Sequence, residues 1–169
     1  MHLHRPGEKR VAHRLRVWLF AAPVLLLTAC GSQEVPLPQS IGTLRLEKVK
    51  SGEEARQEID LLHGKQIGFQ QGYIGFYGAE TGSAQIWLSE HSSESEAAEA
   101  VERMARGMKQ GKQQSFYHFR QIVIEERTVY FAMGMGQAHY FFQKGSKVIW
   151  LAVDPQLAKG AIKDAVRKF

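Results

Sequence analysis

The sequence predicts an α+β protein, a mainly antiparallel sheet with about three helices in a two-layer sandwich, in the order β-α-β-β-α-β-β-β-β-α. Three observations predict it. Two segments place apolar residues three or four apart, and each opens with Ser-x-x-Glu, the pattern of a capped amphipathic helix. Residues 116–154 alternate β-branched and aromatic side chains with polar ones and are cut by short turns. Asp154-Pro155 then opens a last helical stripe, and the short connections favour hairpins over a parallel, doubly wound sheet.

In chain order, Leu44, Leu46 and, less regularly, Val49 alternate as in a strand. Ser51 and Glu54 have capping-box spacing, Ala55, Ile59 and Leu62 share a helical face, and Gly64 stops the helix. Residues 72–90 read as a hairpin that turns near Thr81-Gly82, with Ala84, Ile86 and Leu88 on one face. Ser93 and Glu96 open the second helix, whose buried stripe is Ala97, Val101, Met104 and Met108. Its acidic first turn suits the helix dipole. Four strands follow, with turns at Glu126, Gly136-Gln137 and Lys144-Gly145-Ser146. The last helix buries Ala158, Ile162, Ala165 and Phe169, with Asp154 as its N-cap.

The formal charge of +5 is concentrated at the N-terminus. Five of the 22 basic residues and one of the 17 acidic residues precede Cys30, which leaves 17 against 16 in the rest of the chain. A near-neutral domain gives no footprint for nucleic acid. The cations Arg5 to Arg16 are followed by the apolar run Val17–Leu27 and then by small residues, as in a secretory signal. Eleven residues are too few to cross a hydrocarbon core of ~30 Å.

Leu27-Thr28-Ala29-Cys30 resembles the lipobox of bacterial lipoprotein precursors. That resemblance implies a diacylglycerol on the Cys30 sulfur, removal of residues 1–29, and further acylation of the new amino group. Several acyl chains hold a protein durably, at ~0.8 kcal/mol per buried methylene, where one holds it only marginally. In that family an aspartate just after the cysteine tends to retain the protein in the inner membrane. Gly31 stands there instead, which implies the periplasmic face of the outer membrane in a host with two membranes. Residues 30–41, with Pro36 and Pro38, read as a lipidated, extended tether, and residues 42–169 as one domain. The domain resembles only small envelope lipoproteins, which implies no activity.

Chemistry is sparse in this domain. Met133, Met135 and His139 are ligands of the type that hold copper. Strand alternation explains the methionines more simply, because Val129, Phe131, Met133 and Met135 would share one apolar face. His118 and His139 are the candidates for a hydrolase, yet no serine-centred motif accompanies them. Gly64-Lys65 lacks the other residues of a phosphate loop, so no cofactor is expected. If all three helices lie against the aliphatic strand faces, then Tyr73, Tyr77, Trp87, Tyr130 and Trp150 share the opposite face. Such a surface binds a protein partner or a small apolar ligand. The expected function is therefore that of a non-catalytic binding module in the cell envelope, joined to the membrane by its lipid.

Overall fold

Eight strands join into one antiparallel sheet in the computed structural model, which describes residues 1–2, 35–63, 66–111 and 114–169. The elements are β1 (Ser40–Ile41), β2 (Leu44–Ser51), α1 (Gly52–His63), β3 (Gln71–Ala79), β4 (Gly82–Glu90) and α2 (Glu94–Lys109). They continue with β5 (Phe116–Ile124), β6 (Arg127–Gly134), β7 (Gln137–Lys144), β8 (Lys147–Val153), a 3-10 turn at Pro155–Leu157 and α3 (Ala158–Lys168). Apart from the short β1 and the 3-10 turn, this is the expected order.

Across the sheet the strands run β1-β2-β3-β4-β8-β7-β6-β5. Two meanders are therefore joined by the pairing of β4 with β8, from Ala84↔Val153 to Glu90↔Lys147. Strand alternation gives the sheet two different faces. One carries Tyr77, Ala84, Ile86, Leu88, Val129, Phe131, Tyr140, Phe142, Ile149 and Leu151, and α3 packs on it with Ala158, Ala161, Ile162, Ala165 and Val166. On the other, α1 covers Ile74 through Ala55 and Ile59, while α2 covers Tyr130, Phe141 and Val148 through Ala97, Val101, Ala105 and Met108. Helices thus lie on both faces. The expected pair of layers gains a third, because α3 is set against the aliphatic face and α1 and α2 against the aromatic one.

The alanine face of α3 lets it approach the sheet closely, and polar contacts tie it to both ends of the sheet. Gly42, at φ +58 between β1 and β2, donates its N–H to Asp164 at 2.9 Å, and Lys168 donates to the Ser40 carbonyl at 2.9 Å. Arg167 reaches Glu125, in the β5–β6 turn, at 2.9 Å. A side chain at Gly42 would stand 3.1 Å from the Ala161 nitrogen, so glycine is required there for space as well as for φ.

Several local expectations are corrected. Leu37 and Ile41 are 4% and 0% exposed, and the Tyr77 hydroxyl donates to the Pro38 carbonyl at 2.9 Å. The domain therefore begins before Gly42, and the end of the expected tether is core. Leu62 is 57% exposed and does not join Ala55 and Ile59, the two buried residues of α1. Entry to α1 is made by Gly52 at φ +61. Asp154 makes no side-chain cap. It accepts from the Ser83 N–H at 2.7 Å and from Gln137 Nε2 at 3.2 Å, pinning β4 and β7 to the end of β8. Ser93 does cap α2, accepting from the Glu96 N–H at 3.2 Å, while the Glu96 carboxylate accepts from the Ser92 N–H. The irregular Val49 follows a bulge in β2 between Leu46 and Lys48.

Ala165 is fully buried where α3 meets the sheet. Ala165→Leu is expected to cost about 1–3 kcal/mol through overpacking, measured as a lower urea midpoint with an unchanged m-value.

Candidate functional site

One aromatic row crosses the face that carries α1 and α2, along the strand register. Trp87 of β4 pairs with Trp150 of β8, Trp150 with Phe141 of β7, and Phe141 with Tyr130 of β6. The rings follow the backbone. Trp150 stacks on Phe141 with centroids 5.1 Å apart, Phe141 on Tyr130 at 5.1 Å, and Tyr130 on Phe119 of β5 at 6.0 Å. Such stacking adds to the burial of area. Tyr130 lies beneath α2, only 8% exposed, and its hydroxyl donates to Glu102 at 2.9 Å. Trp87 and Trp150 remain half-buried.

Tyr73 and Tyr77 do not join this row. Their cross-strand partners are Leu88 and Ala84, which places both tyrosines on the aliphatic face, and Tyr77 is 2% exposed. Burial pushes the Tyr77 hydroxyl well above the usual phenol range. The expected five-residue aromatic surface is thus reduced to Trp87, Tyr130 and Trp150, of which the two tryptophans keep partly open rings. Sequence reasoning missed Phe119 and Phe141. Both could have been found by continuing the same alternation into the neighbouring strands.

His139 is held at this row from both sides. The Trp150 indole N–H donates to its Nδ1 at 3.1 Å, so Nε2 carries the proton and donates to the Gly134 carbonyl at 3.0 Å. Phe116 stands edge-on to the imidazole at 4.9 Å. Neither nitrogen is left to accept a proton or bind a metal. Met133 packs on the aliphatic face and Met135 is 70% exposed in the β6–β7 turn at φ +51. The two sulfurs and His139 therefore lie in three different environments, and the expectation that Met135 shares the face of Met133 is not met. His118 is exposed on the β5 bulge at φ +56, beside Tyr117. Among the described residues no group of three or more His, Cys, Asp or Glu is placed to hold a metal.

Trp87 differs from Trp150 in one respect. Its Nε1–H is buried and has no acceptor among the described residues. A donor left this way costs about 1–3 kcal/mol, and native structures leave few of them.

Two recesses flank α2. The first, of about 400 Å³, lies between Gly68–Gln70 and the start of α2, where His91, Glu96 and Arg103 converge. His91 is 5% exposed, with its Nε2 3.2 Å from the Ser89 hydroxyl. Burial lowers its pKa, an effect that Arg103 reinforces and Glu96 opposes. The second, of about 670 Å³, is a more polar groove between α2 and the β5–β6 hairpin, lined by Glu102, Glu125, Glu126, Arg127 and Tyr130 among others.

Cys30 lies outside the described residues, as do Gly64 and Lys65. No helix among the described residues is long and apolar enough to cross a membrane. No protein-family model, curated protein or solved structure matches the chain.

Burial holds both His91 and His139 below the usual value of 6.5. The unfolded chain then binds more protons than the folded one as acid is added, so stability is full above the unfolded value and falls as the pH drops below about 6.5. Urea midpoints between pH 8 and pH 5 are expected to decline on the acid side, and His139→Gln is expected to flatten that decline.

Proposed function

We propose that this chain is a lipid-anchored protein of the bacterial cell envelope whose domain binds a partner through the strip at Trp87 and Trp150, without performing catalysis. The anchor reading rests on Leu27-Thr28-Ala29-Cys30 placed directly after the apolar run, with the basic stretch before it. The outer membrane is its location in a host with two membranes, on the strength of Gly31.

The observation that carries the binding reading is the pair of half-buried rings Trp87 and Trp150, directly opposite each other on β4 and β8. Aromatic side chains with an apolar body and one polar atom are favoured at binding sites, because they offer area at small entropic cost together with one directional bond. A protein segment or small molecule with an apolar surface suits this strip. The engagement of both His139 nitrogens favours this reading over a hydrolase or a copper carrier.

Two measurements test the proposal. Intact mass of wild type and Cys30→Ser from membranes is expected to show a cleaved, acylated chain only for wild type, and an identical, uncleaved mass in both would overturn the anchor. Partners captured from membranes by wild type are expected to be lost with Trp87→Ala. With Trp87→Phe, which keeps an aromatic surface at that position, binding is expected to fall less than with Trp87→Ala. Unchanged capture by both variants would overturn the binding reading.

A further inference from the structure

The three helices differ in charge as well as in the face they cover. Counting side chains, α3 has four cations, Lys159, Lys163, Arg167 and Lys168, and one carboxylate, Asp164. On the other face, α1 and α2 together have eight carboxylates and four cations, Arg56, Arg103, Arg106 and Lys109. A domain that is near neutral as a whole thus sets a basic helix on one side of its sheet. Arg120 lies on that same side, over the Phe131 ring at 4.7 Å.

Pairing within the domain leaves most of that charge uncompensated. Lys163 and Arg167 share one carboxylate, Glu125, at 3.6 and 2.9 Å, and both cations remain 53% exposed. Lys168 reaches Asp164 at 3.0 Å, and Lys159 has no ion-pair partner among the described residues. Exposed pairs of this kind are weak and yield to salt. Lys159, Lys163 and Arg167 recur every four residues, which lines them up as one stripe on the solvent side of α3.

The chain enters the domain beside this helix. Leu37 is buried in the same core cluster as the inner face of α3, and Lys168 donates to the Ser40 carbonyl at 2.9 Å. Residues 30–37 span at most ~25 Å when fully extended. We infer that α3 lies against the membrane that holds the lipid, with Lys159, Lys163 and Arg167 on anionic phospholipid headgroups. The inference rests on the proposed anchor for the length of the tether, and on the charge of α3 for the face that docks. A lysine or arginine at an anionic lipid surface strengthens binding about fivefold. Contacts that weak are effective where a short tether already supplies a high local concentration. Docked this way, the strip at Trp87 and Trp150, on the opposite face of the sheet, is turned away from the lipid and toward a partner in solution.

The test uses the processed, acylated chain reconstituted into vesicles. Acylation occupies the Cys30 sulfur, so an uncharged fluorophore can be placed on one introduced cysteine. Gly160→Cys puts it on the exposed side of α3, where a side chain meets nothing closer than 3.9 Å, and Gly107→Cys puts it on α2, where nothing lies within 4 Å. Nitroxide-labelled headgroups are expected to quench position 160 and not position 107 in vesicles of phosphatidylglycerol with phosphatidylcholine, and neither in phosphatidylcholine alone. Raising salt from ~0.1 M to ~1 M, which shortens the Debye length from about 10 Å to about 3 Å, is expected to release α3. Lys159→Gln, Lys163→Gln and Arg167→Gln together are expected to lower the docked fraction relative to the free one by about tenfold or more. Arg103→Gln, Arg106→Gln and Lys109→Gln together are expected to leave it unchanged. Lys159→Gln alone, which breaks no ion pair, is expected to lower it about two- to fivefold. Equal quenching at positions 160 and 107, or quenching at 160 that ignores headgroup charge, salt and the α3 substitutions, would overturn the proposal. Capture of an acidic protein by α3 while position 160 stays unquenched would do the same. Intact mass separates the two readings, because an unacylated chain overturns the anchor, whereas an acylated chain unquenched at 160 overturns only the contact of α3 with lipid.

Discussion

The pairing of β4 with β8 is the constraint on which the rest of the domain depends. Without it the chain is two separate meanders, each with faces too small to bury. With it, seven residue pairs from Ala84↔Val153 to Glu90↔Lys147 set one phase for the whole sheet. Both ends of that seam are fastened by polar contacts. Asp154 accepts from the Ser83 N–H at one end, and at the other the His91 N–H donates to the Ser146 carbonyl at 2.8 Å, with Lys147 and Glu90 3.6 Å apart beside it. A slip of one residue would turn Ile86, Leu88, Ile149 and Leu151 away from α3 and break the aromatic row. The seam joins residues about sixty positions apart, so among the strand pairings it is the one with the greatest cost in chain entropy.

Most of the elements were legible in the sequence because their signals are local. Ser93 with Glu96, the stripe from Ala97 to Met108, and the strand runs from 116 to 154 each depend on near neighbours in the chain. What was not legible depends on contacts across the fold. Nothing local says that α3 takes one face and α1 and α2 the other. Strand β3 alone does not give the phase of Tyr73 and Tyr77, which is set by their partners Leu88 and Ala84. Parity puts Met135 on the face of Met133 only if β6 continues, and β6 ends at Gly134 in a turn. Asp154 looked like a cap because Pro155 follows it, whereas Ser83, more than seventy residues away, is what it serves.

The candidate site shows the same division. Trp87, Tyr130 and Trp150 could be placed on one face from alternation alone. That α2 covers Tyr130 and leaves the tryptophans partly open could not, and neither could the bond from Trp150 to His139. Those two facts turn a list of aromatic residues into a specific strip. They also move His139 from a candidate for chemistry to a support for the neighbouring indole.

The burial of Leu37 has a mechanical consequence. Leu37 lies against Gly75, where a side chain would come within 3.0 Å of it, and Ile41 follows as half of the two-residue β1. Any tension reaching the domain from the N-terminal side is borne first by this clip. Two ladder pairs and one buried leucine would be peeled one after another, a loading geometry that yields at far lower force than shearing a long strand. The first part of the domain to respond to a pull is therefore the segment that seals Tyr77 and the aliphatic face, and the aromatic face lies on the opposite side of the sheet.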